Sequence, residues 1–138
     1  MISAISHIGI AVRDIEAGME LFGRIFNVDS FHRETVEDQK VTVASFSVGG
    51  VILELTAPTD EESPIAKFIE KRGEGIHHIA FASNDVNADL SRMKEAGIRL
   101  IDEEAKPGAH DMLIAFLHPK STGGVLMELC QHSAGAAH

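Results

Sequence analysis

The sequence has a single cysteine, Cys130, so no internal disulfide can form, which fits a reducing compartment. No apolar run approaches the roughly 20 residues that a membrane span needs. The start, MISAISHIGIAV, has neither the basic beginning nor the small-residue cleavage site of a secretory signal. A soluble protein of the cytoplasm, or of another reducing intracellular compartment, is expected. Positive charge is also scarce. Twelve Lys and Arg stand against 21 Asp and Glu, and the net charge of -9 would repel a phosphate backbone, which disfavours nucleic acid as a partner. An anionic small substrate must therefore be met by a local group of cations. At 138 residues, 44% hydrophobic and 24% charged, the chain is long enough for one packed domain and too short for two.

What is present is a repeat. Residues 49 to 55 read GGVILEL and residues 123 to 129 read GGVLMEL, identical at five of seven positions and offset by 74 (123 minus 49). HIGIAVRDI from residue 7 matches HIAFASNDV from residue 78, sharing His, Ile, Ala and Asp at an offset of 71 (78 minus 7). The two halves thus run in step with a short insertion between the paired segments. Each copy opens on a strand beginning with His, continues into a helix and finishes on the Glu-bearing strand. Asp14 caps a helix with Ile15, Met19, Phe22 and Phe26 at helical spacing, and Asp85 caps one with Val86, Leu90 and Met93 on one face, stopped by Gly97. SPIAKFIEKRG is a connecting helix between the copies, with Ser63 as cap, Pro64 in its first turn and Gly73 past its end. QKVTVASFSVGGVILEL reads as two strands around a tight Gly49-Gly50 turn, and MLIAFLHPKSTGGVLMEL as two strands around a longer polar loop.

The expectation is an α+β fold of two tandem βαβββ modules, about 4–57 and 75–131, joined by a helix at about 63–73 and followed by a short C-terminal tail. The modules form one curved mixed sheet around a metal site, with the helices outside. A half of about 60 residues would struggle to bury its sheet alone.

Alternation along the strands decides which way the polar residues point. Ile8, Ile10 and Val12 take the helix side, leaving His7, Gly9 and Ala11 on the other; His78, Ala80 and Ala82 separate from Ile79 and Phe81 in the same way. Val51, Leu53 and Leu55, and likewise Val125, Met127 and Leu129, form core faces, so Glu54 and Glu128 point away from the helices. A carboxylate in such a strand is costly unless it is paired or metal-bound, and here the pattern occurs twice. His7, Glu54, His78 and Glu128 are therefore the candidate ligands, beside small residues that leave room for a substrate. Two imidazoles and two carboxylates suit a divalent ion such as zinc, cobalt, nickel, manganese or iron. His77 points the other way and reads as structural or as a support for His78. His118 and His110 fall in loops that could line the pocket, and Lys120, Lys106, Lys67 and Arg72 are the cations available to an anionic tail.

The blocks HIGIAV, SPIAKFIEKRGEGIHHIAF, RLIDEEAKPGAHD and AFLHPKSTGGVLMELCQ resemble the methylmalonyl-CoA epimerase family of the vicinal oxygen chelate superfamily, over about residues 5–131. The resemblance implies ligands at His7, Glu54, His78 and Glu128, the set that alternation selects. It implies interconversion of (2R)- and (2S)-methylmalonyl-CoA by abstraction of the C2 proton through a metal-stabilised enediolate, by an isomerase that is a homodimer with an acyl-CoA substrate. One divalent ion per site is implied, cobalt ahead of zinc, nickel and manganese. Some members carry Gln at the position of Glu54 and a separate Glu on the preceding strand. Here that strand is VTVASFS, so either Glu54 takes the second base role opposite Glu128, the reading favoured, or water or another residue does. Lys120, His118, His110 and Arg72 are the expected substrate contacts. Glyoxalase I and a metal-free binding protein of the same fold are the alternatives. HPKSTGG, where glyoxalases tend to a DPDG-type turn, and Ala11, where bacterial glyoxalases often have Arg, speak against the first, and the complete ligand set speaks against the second.

Overall fold

A computed structural model describes residues 1–132; the end of the expected C-terminal tail, from residue 133 on, lies outside the described residues. The chain divides into two compact units, one of residues 7–77 and one of residues 1–6 with the segment from 78 onward.

The unit of residues 7–77 takes the end of β1 (Ile2–Ala11), then α1 (Ile15–Phe26), β2 (His32–Val36), β3 (Val41–Val48), β4 (Val51–Pro58) and α2 (Pro64–Arg72). Its strands lie in the order β2-β3-β4-β1, with β1 parallel to β4 and the other pairs antiparallel. Helix α1 starts where expected, because Asp14 Oδ2 accepts from the Ala17 N–H at 3.0 Å. It ends at Asn27, whose φ of 57° is left-handed. Ile15, Met19 and Phe22 pack with Val12, Ala44, Leu55 and Ala57. The β3–β4 hairpin closes from Val48 opposite Val51 through Gly49 and Gly50 at φ of 55° and 87°, a turn that residues with a Cβ resist.

Helix α2 departs from the expectation that the helices lie outside. The Ser63 hydroxyl caps it at the Ile65 N–H, 3.1 Å away. Ile65, Phe68 and Ile69 then pack on Ala11, Val41 and Val43. Alternation puts those three on the face opposite α1, which is the face of His7 and Glu54. The reason lies in the side chains: the far end of that face is apolar on β1 and β3, and α2 carries the matching Ile and Phe.

In the second unit β5 (Gly75–Ser83), counted from His78, is followed by α3 (Val86–Glu95), β6 (Lys106–Pro107), β7 (Met112–Leu117) and β8 (Met127–His132). The order β5-β8-β7-β6, with a parallel β5–β8 pair and antiparallel neighbours, reproduces that of the first unit. Asp85 caps α3 through the Ala88 N–H at 3.1 Å, and Gly97 follows its end at φ 83°. Val86, Leu90 and Met93 pack with Ala115, Leu117 and Leu129. Val125 does not join that face as expected: it precedes β8 and is exposed. Buried Asp89 accepts from the Ser83 hydroxyl at 2.5 Å and lies 3.3 Å from the Met1 ammonium and 3.4 Å from Arg92. Burial pushes its carboxyl up, but these hydrogen bonds and charges outweigh burial and hold it below the usual carboxylate value. No helix among the described residues is long and apolar enough to cross a membrane.

Thr56, opposite Ala11 and Val43 in the row covered by α2, is buried, and its hydroxyl has no hydrogen-bond partner. Such a group costs about 1–3 kcal/mol. Thr56→Val is therefore expected to raise the thermal midpoint, with a gain of about 1 kcal/mol in chemical denaturation; a fall would show that the hydroxyl is satisfied in solution.

Candidate active site

In the unit of residues 7–77, strand pairing aligns a row of buried side chains. Gly9 on β1 and Ser45 on β3 both lie opposite Glu54 on β4, so Glu54 stands in a row between a glycine and a serine. His7, two residues before Gly9, shares that face. His7 and Glu54 are each 8% exposed. The row on one side, Ala11–Thr56–Val43, is closed by α2; the row on the other, His7–Ile52–Ser47, ends in exposed Ile52 and Ser47. Ala11, expected to leave room for a ligand, is instead fully buried under the helix.

The second unit has an equivalent row. Glu128 on β8 lies between Ala80 on β5 and Phe116 on β7, the same row with alanine for glycine and phenylalanine for serine. His78 and Glu128 are buried, and His78 Nε2 is 3.3 Å from Glu128 Oε1. The Phe116 ring meets the His78 ring edge-on, with centroids 6.1 Å apart. Behind this row lie Cys130, Ile114 and Ala82, so an imidazole and a carboxylate converge on an otherwise apolar floor. His77 packs edge-on against Phe68 of α2 at 4.9 Å, and burial lowers its pKa, keeping it neutral at pH 7.

Each half therefore holds one buried His and one buried Glu on one strand face. An imidazole nitrogen and a carboxylate oxygen held on strands are donors of the kind that a divalent transition metal takes.

The expected substrate contacts are more scattered. Lys120 is exposed in a short turn, where its backbone N–H donates to His118 Nδ1 at 3.1 Å, so His118 acts as a turn cap. Arg72 ends α2 with its guanidinium 6.0 Å from the Phe68 centroid. His110 is exposed before β7 at φ 58°. None of the three cations and imidazoles at 72, 118 and 120 lies on the strand faces that carry the ligand pairs. Phe116 and Ser45, which flank the two glutamates, were not singled out from sequence. The signal for Phe116 was there, since it is the even-numbered partner of Met112 and Ile114 in MLIAFL.

Residues 6–116 match the Glyoxalase/Bleomycin resistance protein/Dioxygenase superfamily. The chain is 42% identical over 127 residues to the uncharacterized protein YqjC of Bacillus subtilis, spanning 92% of this chain and 91% of that one. It is 39% identical over 133 residues to the ethylmalonyl-CoA/methylmalonyl-CoA epimerase of Cereibacter sphaeroides, spanning 95% and 99%. The chain belongs to the methylmalonyl-CoA epimerase family. A solved methylmalonyl-CoA epimerase in complex with methylmalonyl-CoA and NH4+ matches it with a TM-score of 0.86 at 39% identity, over 97% of each chain. The tandem βαβββ fold expected from the sequence is the fold of this epimerase family, and the chain is an enzyme of the epimerase class.

The His78–Glu128 contact is open to direct measurement. In chelator-treated protein, a double-mutant cycle of His78→Ala and Glu128→Ala should show a favourable coupling of about 0.5–3 kcal/mol, because truncating either partner removes this buried contact from the other. Additive effects in urea unfolding would show that the two side chains do not interact.

Proposed function

We propose that this epimerase-family enzyme interconverts (2R)- and (2S)-methylmalonyl-CoA, and that His7, Glu54, His78 and Glu128 hold one divalent metal ion, cobalt before zinc, nickel or manganese. The observation that carries the reading is the duplicated strand row, in which each repeat buries one histidine and one glutamate beside a small residue. The named epimerase activities of the relatives supply the substrate class. The ion would act as a Lewis acid on the carbonyl oxygens of the substrate, lowering the cost of removing the C2 proton. The reading treats residues 1–138 as one domain, working as a cytoplasmic homodimer.

Epimerisation needs a proton carrier on each side of the planar intermediate. Glu128 serves one side and Glu54 the other. Support for Glu54 comes from the register of β3: its residues on the Glu54 face are Val41, Val43, Ser45 and Ser47, none of them a carboxylate. The next carboxylate on that face is Glu34, one strand farther out on β2 opposite Val43. The apolar neighbours Ile114, Cys130 and Ala80 limit water around Glu128, and the row beside Glu54 is closed by α2.

Metal content tests the ligand set. His78→Ala should lower metal affinity by more than the roughly 10- to 100-fold that changes around a ligand cause, and so lower metal content, whereas His77→Ala, which removes a side chain packed on Phe68, should keep the ion; equal content in the two variants would refute the assignment. Glu54→Gln tests the base. An amide oxygen still coordinates, so the variant should retain metal while epimerisation falls about 100- to 10,000-fold. In deuterated water it should exchange deuterium into one epimer much faster than it converts that epimer, a gap absent from wild type. A wild-type rate of epimerisation in Glu54→Gln would reduce Glu54 to a ligand and point to Glu34.

A further inference from the structure

The repeat makes the two halves of the strand floor comparable position by position, and at the sheet edge they differ in charge. In the first half the edge residue opposite Val43 is Glu34. In the second, the edge residue opposite Ile114 is Lys106. Because Glu54 pairs with Ser45 and Glu128 with Phe116, Val43 and Ile114 are equivalent, and so are Glu34 and Lys106. Directly opposed residues on antiparallel strands share a face, so Lys106 stands on the same face as Ile114, Phe116 and Glu128.

The Lys106 side chain is held there. Its Nζ lies 3.1 Å from Asp102 Oδ1 and 5.7 Å from the centroid of the Phe116 ring. Asp102 is itself fixed, since its other oxygen accepts from the Phe116 backbone N–H at 2.9 Å and its side chain is only 16% exposed. Phe116 in turn flanks Glu128 and meets His78 edge-on. One aromatic ring thus separates a fixed ammonium from the histidine–glutamate pair. The ammonium has three donors, Asp102 takes one, and the side chain is half exposed. In a chain of net charge -9 this oriented ammonium is a local positive point that a bound anion can meet.

We propose that Lys106 receives an anionic oxygen of the substrate, either the carboxylate on C2 or a phosphate of the coenzyme A tail. The assignment rests on the epimerase reading above and replaces Lys120 and Arg72 as the principal cation. Asp102 is a positioning residue that acts through Lys106.

Steady-state epimerisation of methylmalonyl-CoA and of methylmalonyl-pantetheine, which lacks the nucleotide phosphates, tests it. Lys106→Gln should raise KM for methylmalonyl-CoA at least about tenfold, the scale of a lost charge-assisted hydrogen bond, with a smaller change in kcat. Lys106→Arg should restore most of the loss, while Lys120→Gln should leave KM within about twofold. If the carboxylate is the partner, the Lys106→Gln defect persists on the pantetheine thioester; if a phosphate is, the defect disappears there. An unchanged KM in Lys106→Gln on both substrates, with wild type active, overturns the assignment and leaves Lys106 a structural ion pair, which a fall in thermal midpoint alone would also indicate. Wild type inactive on both substrates overturns the epimerase reading, and the assignment with it.

Discussion

Everything at the active site follows from the cost of taking a carboxylate out of water. Glu54 and Glu128 are buried on strands otherwise made of Val, Ile, Leu and Met, where an uncompensated charge would cost more than any one neighbouring contact returns. The strand period turns that cost into a position. With Leu55 and Leu129 committed to the helix-covered cores, the glutamates one residue earlier have only the opposite face available. There each finds a histidine from the neighbouring parallel strand's face and a small residue directly alongside, Gly9 or Ala80.

This is also why so much could be read from the sequence. The repeated Glu in GGVILEL and GGVLMEL, the repeated His in HIGIAV and HIAFA, and the caps at Asp14, Ser63 and Asp85 are local signals whose physics does not depend on distant residues. The tight Gly49-Gly50 turn is of the same kind. Features that depend on what lies across the sheet were not legible. Helix α2 is amphipathic in sequence, but nothing in SPIAKFIEKRG says that its Ile65 and Ile69 will cover Ala11, Val41 and Val43 rather than the outer face. Val125 belongs to the repeated heptapeptide and still falls outside β8, because the loop before it closes through Gly124 bonding back to Pro119 at 2.8 Å.

The cations show the limit most clearly. A lysine in a loop and a lysine on a sheet edge look alike in a sequence, and Lys120 beside the repeated motif drew more attention than Lys106. Their difference lies in register: the pairing of Lys106 with Ile114 fixes its face, and Asp102, four residues earlier in sequence, fixes its direction. Phe116, reached from both sides by Lys106 and His78, ties that edge to the buried glutamate.

The two hairpins that carry the glutamates are closed very differently. Gly49 and Gly50 leave no slack, so one inserted or deleted residue would shift β4 by one position against β3 and turn Glu54 toward α1, exchanging it with Leu55. Between β7 and β8 the chain has nine residues, 118 to 126, to absorb such a change before it reaches Glu128. The first hairpin thus has little tolerance of length variation, while the second offers a place where homologous chains can differ in length without changing the register of Glu128.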